Sequence, residues 1–205
     1  MFPSLYLITH HFQNKTHLEI IKLAIKGGIR FIQMRDKFLS DKEFFQIALK
    51  IRKITIKKKT IFIVNDRLNI ALLSNADGIH LGQNDFSIKD TRKLLGKNKI
   101  IGITCKTISQ AIKAQKEKAD YISIGPIFPS STKPNAGKIL GINFIKKIKK
   151  YIKIPLYGIG GISLNNLEKC LKSGLNGVAI CSDIVQAENI TNAAYLINEK
   201  IKGIK

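Results

Sequence analysis

Polar and charged residues of this chain gather in short clusters, each placed directly after an apolar run. Gln33-Met34-Arg35-Asp36-Lys37 follows one such run. Alternation along an extended backbone sends Gln33, Arg35 and Lys37 to one side. Two cations and an amide converging there suit a phosphate or diphosphate. The plainer use of the cations is an ion pair with Asp36 at the surface. Asn65-Asp66-Arg67 and Gly82-Gln83-Asn84-Asp85 follow the next two runs and bring one carboxylate each. Mg²⁺ is commonly held by one or two carboxylates plus substrate phosphate, so Asp66 and Asp85 form a candidate metal pair. Either could instead cap the next helix.

Thr104 ends a later run and offers a hydroxyl to a phosphate or ring substituent. The segment 126–140 contains Ser130, Ser131, Thr132 and Lys133, a composition that fits a lid or anion clamp. Gly158-Ile159-Gly160-Gly161-Ile162 would let backbone N–H groups approach an anion. A short helix opening near Ser182, after Cys181, would aim its positive end at the same point. The four histidines contribute less. His10 and His11 are read as rim residues, His17 as helix surface, and His80 as a structural histidine inside a strand. No Ser-His-Asp or Cys-His arrangement is visible.

These clusters need a scaffold that brings strand ends together. Apolar runs at 5–8, 29–34, 61–64, 78–81, 100–104, 121–125, 156–159 and 177–180 read as strands. Amphipathic stretches at 15–26, 41–56, 68–73, 109–118, 142–151, 164–173 and 191–201 read as helices, Ser40 capping the second and Gly27-Gly28 stopping the first. Short, almost wholly apolar strands are expected where both sheet faces are buried, as in parallel sheets. Strict alternation over about eight units predicts an α/β fold, a single-domain (β/α)₈ TIM barrel spanning 1–205. A doubly wound open sheet is the alternative. In such barrels the site lies at the C-terminal ends of the strands, with a phosphate position after strands seven and eight.

Composition narrows the class. Hydrophobic residues make up 44% of the chain, enough for a core. No apolar run approaches the roughly 20 residues of a membrane span. The first residues show no basic region followed by a cleavage site, so a cytoplasmic enzyme with no membrane partner is expected. Cys105, Cys170 and Cys181 have neither metal-ligand nor disulfide spacing and are read as reduced thiols. The net charge is +21, yet only five of the 35 basic residues are Arg and the Lys residues spread along nearly the whole chain. Compositional drift explains this better than nucleic-acid recognition, and the field favours anionic ligands in either case.

In combination, Gln33-Met34-Arg35-Asp36-Lys37, Val64-Asn65-Asp66-Arg67, the run from Ala76 to Asp85, Ile101-Gly102-Ile103-Thr104, the run from Gly125 to Lys133 and Gly158-Ile159-Gly160-Gly161-Ile162 resemble the thiamine-phosphate synthase family along nearly the whole chain. The resemblance implies Mg²⁺-dependent joining of a pyrimidinylmethyl diphosphate to a thiazole phosphate, releasing diphosphate. It implies that Gln33, Arg35, Lys37, Asn65, Thr104 and Lys133 contact the pyrimidine diphosphate, with Met34 and Asp36 also among the substrate-binding residues. Asp66 and Asp85 would hold Mg²⁺, and Ser130, Ser131, Thr132, Gly161, Cys181 and Ser182 the thiazole phosphate. Arg35, Lys37 and Lys133 would stabilise the departing charge. Asp36 stands where the family usually has Glu, Thr104 where it has Ser, and Cys181 where it has an aliphatic residue. Two other readings stay open: a metal-independent thiazole tautomerase on the same fold, and a basic nucleic-acid binder. The partners expected are the two phosphorylated small molecules, with no nucleic acid; homo-oligomerisation is left open.

Overall fold

Eight parallel strands pair in sequence order, and the last pairs with the first. They are β1 (Leu5–Ile8), β2 (Phe31–Met34), β3 (Ile61–Asn65), β4 (Gly78–Leu81), β5 (Ile100–Cys105), β6 (Tyr121–Ile124), β7 (Leu156–Ile159) and β8 (Gly177–Ile180). The pairing of Leu5 with Val178 and Leu7 with Ile180 closes the barrel, so the open-sheet alternative is excluded. The computed structural model describes residues 2–12, 15–130 and 137–204.

The helices between strands are α1 (His17–Lys26), α2 (Asp41–Lys57), α3 (Leu68–Leu73), α4 (Ile88–Leu95), α5 (Ile108–Lys116), α6 (Gly141–Lys149) and α7 (Leu167–Lys172). A four-residue turn, α8 (Ser182–Val185), and α9 (Ile190–Ile204) follow β8. Full capping boxes start three of them: Thr16 with Glu19, Ser40 with Glu43, and Thr107 with Gln110. The sequence reading lacked α4, which Ser87 opens by accepting from the Asp90 N–H. α9 closes the helical ring against α1, where Gly27 leaves room for the Thr191 carbonyl and the Thr191 hydroxyl donates to Leu23 O at 3.0 Å.

Alternation divides each strand between two cores. Outward residues such as Leu5, Leu7, Ile32, Met34, Val64 and Ile122 pack in the apolar layer between sheet and helices. Inward residues Tyr6, Phe31, Tyr121 and Tyr157 fill the barrel with aromatic rings. Tyr6 stacks on Phe31 at 3.9 Å between centroids, and Tyr121 and Tyr157 meet that pair edge-on at 5.5 to 5.7 Å. Glycine makes the space: a Cβ at Gly102 would overlap the Tyr121 ring, and one at Gly177 would meet Tyr157. Large rings on some strands thus fit against bare backbone on others. Below this layer Phe2 stacks on Phe31 at 5.6 Å and leans on Tyr121, covering the lower end of the barrel.

That lower end carries a repeated tie. Asp77 accepts from the Phe62 N–H and from Arg52, each at 2.8 Å. Asp120 accepts from the Ile101 N–H at 2.7 Å and from Arg92 at 2.6 Å. Asn176 accepts from the Leu156 N–H at 3.0 Å and from Lys149 at 3.3 Å. Each tie fixes the start of a strand, leaving the opposite, C-terminal end to the polar clusters. Among the described residues no helix is long and apolar enough to cross a membrane.

Candidate active site

Asp66, Asp85, Arg35, Lys37, Thr104, Gly161 and Ser182 all follow or end strands of one parallel barrel, so they share its C-terminal mouth. Asp66 follows β3 in a left-handed conformation, φ 59°. Its carboxylate receives the Lys37 ammonium and lies beside that of Asp85. Neither acid caps a helix: Arg67 is the N-cap residue of α3 and makes no side-chain cap, and α4 is capped by Ser87. Asp85 instead accepts from the Gly82 N–H at 2.6 Å. Burial pushes the Asp66 carboxyl up, but Lys37 and Asp85 outweigh it and leave it below the usual range. Burial, with the neighbouring Asp66, holds the Asp85 carboxyl above its usual range despite the Gly82 N–H. The two shifts run in opposite directions, as expected for neighbouring carboxyls that disfavour each other's ionisation. Two partly buried carboxylates in contact at a strand-end rim form the donor set a hard divalent cation would draw ionised. Among the described residues no group of three His, Cys, Asp or Glu side chains could complete a metal site, so water or substrate oxygen would supply the remaining positions.

Arg35 is half-buried and has no carboxylate partner among the described residues. Burial lowers His10 and His80 below their ordinary range and the Arg35 charge adds to this; the same charge opposes the effect of burial on the Cys181 thiol, which still rises to about 12. One guanidinium thus acts on a residue after β1, one within β4 and one after β8, all near the C-terminal ends of their strands. Lys37 is more exposed, and reaches across to Asp66. Asn65 is buried at the end of β3, facing inward by alternation.

Asp36 departs from expectation. Its carboxylate does not face the mouth or pair with Arg35; it is buried and accepts from His17 Nε2 at 2.8 Å, Phe38 N at 2.8 Å and Leu39 N at 3.1 Å. His17, expected on a helix surface, is only 3% exposed, and its Nδ1 bonds Thr9 Oγ1 at 2.8 Å. Thr9 in turn meets Gln33 O and the Arg35 N–H. Burial lowers His17 below its ordinary range although Asp36 pulls it up. Thr9, His17 and Asp36 thus brace the segment carrying Arg35 and Lys37. Met34 also departs: its side chain is fully buried in the outer apolar layer, because residues next to inward Gln33 and Arg35 must point out. Gln33 lies beneath the mouth, its amide donating to Tyr6 OH at 2.6 Å.

The loop after β7 has glycines at φ 93° (Gly160) and 63° (Gly161). The space a Cβ would need is taken by Pro126 at Gly160 and by Phe128 and the Pro129 carbonyl at Gly161. These glycines first serve to seat the loop that follows β6, including half-buried Ser130 nearby in sequence. Asn166 bonds Gly161 O at 2.8 Å, and Asp183 of α8 accepts from the Leu164 N–H at 2.8 Å, joining the loops after β7 and β8. Cys181 and Ser182 stand half-buried at the end of β8. Ser131, Thr132 and Lys133 lie outside the described residues. Of the remaining histidines, His80 is buried as expected, between Tyr121 OH and Thr104 Oγ1.

A closed barrel with Arg35 free of a carboxylate partner among the described residues, a carboxylate pair and glycine-bearing loops around one mouth defines a TIM-barrel enzyme acting on small molecules. Comparison with known proteins gives the family. A family model described as thiamine monophosphate synthase matches residues 5–184. The thiamine-phosphate synthase of Clostridium acetobutylicum is 39% identical over 200 residues, covering 97% of this chain and 94% of its own. That of Clostridium tetani is 40% identical over 192 residues, covering 93% and 91%. The solved structure of thiamine phosphate pyrophosphorylase from Pyrococcus furiosus superposes with a TM-score of 0.90 at 32% identity, covering 98% of this chain and 96% of that one. The chain belongs to the thiamine monophosphate synthase family. Its activity is thiamine-phosphate synthesis, a group transfer in thiamine biosynthesis.

Proposed function

We propose that the chain, acting as one catalytic domain in the cytoplasm, joins 4-amino-2-methyl-5-pyrimidinylmethyl diphosphate to 4-methyl-5-(2-phosphoethyl)thiazole in a Mg²⁺-dependent reaction. The observation that carries this reading is the Asp66–Asp85 pair with Lys37 bound to it, on the same rim as Arg35, which has no carboxylate partner among the described residues. Asp66 and Asp85 would hold Mg²⁺, which when bound supplies positive charge to diphosphate oxygens. Arg35, Lys37 and Lys133 bind the same diphosphate and stabilise the charge that grows as the C–O bond breaks. The cation left on the pyrimidine methylene is delocalised by the ring, and the thiazole nitrogen attacks it to form the new C–N bond. Neither step needs a strong general base, in keeping with a mouth built from fixed charges and hydrogen bonds rather than a titrating nucleophile. Catalysis is then mainly alignment of two anionic substrates. Gln33, Asn65 and Thr104 orient the pyrimidine; Ser130, Ser131, Thr132, Gly161, Cys181 and Ser182 receive the thiazole phosphate. Asp36 and Met34 serve by holding the backbone between Gln33 and Lys37.

The test is incubation with both phosphorylated halves, with and without Mg²⁺, followed by detection of thiamine phosphate and diphosphate. Product in the Mg²⁺ arm, abolished by EDTA, is the expected result. Absence of coupling in the Mg²⁺ arm would refute this reading, and an isomerisation of a thiazole phosphate unaffected by EDTA would favour the tautomerase instead.

A further inference from the structure

A chain of hydrogen bonds rises from the aromatic floor of the barrel to its mouth. Gln33 Nε2 lies 2.6 Å from Tyr6 OH, Tyr6 OH 2.7 Å from Tyr121 OH, Tyr121 OH 2.9 Å from His80 Nδ1, and His80 Nε2 2.8 Å from Thr104 Oγ1. Every member below Thr104 is buried, so no bulk water can substitute for a missing partner.

The direction of this chain follows from counting protons. The Gln33 amide nitrogen only donates, so the Tyr6 oxygen accepts. The Tyr6 proton is then free for Tyr121, the only other partner it has among the described residues. The Tyr121 oxygen, having accepted, passes its own proton to His80 Nδ1. A neutral imidazole that accepts at Nδ1 carries its hydrogen on Nε2 and donates it to Thr104. The opposite assignment leaves the Tyr6 proton with no acceptor inside the barrel, a cost native interiors avoid. The Thr104 oxygen is thereby occupied as an acceptor from below.

The geometry points to His80 and Tyr121 as positioning residues that fix Thr104 as a hydrogen-bond donor into the mouth. The substrate atom it meets must then be an acceptor: a pyrimidine ring nitrogen or a diphosphate oxygen. Naming those two atoms rests on the proposed function; the polarity itself does not. A serine in place of Thr104 would serve equally, whereas a side chain without a hydroxyl proton would not.

The decisive measurement is the tautomer of His80 in the ligand-free protein. Long-range ¹⁵N–¹H correlation at pH 7, assigned by the loss of signals in His80→Gln, is expected to show hydrogen on Nε2. Hydrogen on Nδ1 would overturn the proposal whatever the enzyme's activity. Tyr121→Phe keeps the ring but removes the donor to Nδ1. It is expected to disturb that tautomer and to lower kcat/KM for the diphosphate substrate roughly tenfold, the worth of one hydrogen bond. Thr104→Val should lose a similar factor and Thr104→Ser should restore it; equal activity of the valine and serine variants counts against the proposal. Inorganic diphosphate and the unphosphorylated 5-hydroxymethylpyrimidine, added separately, distinguish the acceptors by which of them shifts the His80 Nε2 resonance; a shift with neither refutes the donor role. Should Tyr121→Phe fail to fold, the wild-type tautomer still decides.

Discussion

Replacing Asp36 tests whether the cationic rim is braced from within. The Asp36 carboxylate serves three donors: His17 Nε2 and the amides of Phe38 and Leu39. In Asp36→Ala the two amides are near the surface and recover water, but His17, 3% exposed, does not. Burial keeps His17 neutral at pH 7, so stranding its buried N–H costs about 1–3 kcal/mol, against a total stability for such a domain of only about 5–15 kcal/mol. Asp36→Asn keeps an acceptor for the amides and can donate to His17 in its other tautomer, so about 1–2 kcal/mol is expected. Urea unfolding at pH 7, with the slope m checked for constancy, reads both values. The folded fraction of Asp36→Ala should show a raised KM for the diphosphate substrate, because Arg35 and Lys37 lose their support. A loss below about 1 kcal/mol in the alanine variant would refute the brace, since no buried donor would then have been stranded.

Asp85→Asn should leave the fold intact, the amide oxygen still accepting from Gly82 N–H, while weakening Mg²⁺ activation at least about tenfold in a titration of initial rate against the ion. Gly102→Ala drives a methyl into the Tyr121 ring and should cost about 2–4 kcal/mol from overpacking and broken hydrogen bonds, read as a shift in the urea midpoint. His80 sits at about 4 in the folded protein against an ordinary 6.5, because burial disfavours its charge. The unfolded chain therefore takes up the proton first, and stability present above pH 6.5 is lost as pH falls towards 4, by about 3 kcal/mol. Unfolding in EDTA across that range should show the slope, and His80→Gln should flatten it.

Much of this architecture is written plainly in the sequence. The strands at 5–8, 78–81, 156–159 and 177–180 and the helix at 68–73 fall where the pattern puts them, because parallel strands buried on both faces leave nearly unbroken apolar runs. The rim clusters are legible for the same reason: whatever ends such a run emerges at the mouth. The fates of individual side chains are harder to read. His17 could have been found from its spacing to Ile20, Ile21 and Ala24, which puts it on the buried face of α1. Its partner could not, since Asp36 lies 19 residues further along, just past β2. Met34 follows from alternation once the true inward residues are known. The route from Gln33 through two tyrosines to Thr104 joins five residues on five strands, and only barrel closure brings them together. Likewise, Gly160 and Gly161 suggest an approaching anion, and the loop after β6 is what first occupies their space.

Phe2 and the aromatic layer above it make the barrel a vessel with one opening. Whatever enters past Arg35 must leave past Arg35. On the proposed function, diphosphate and the coupled product share that single exit.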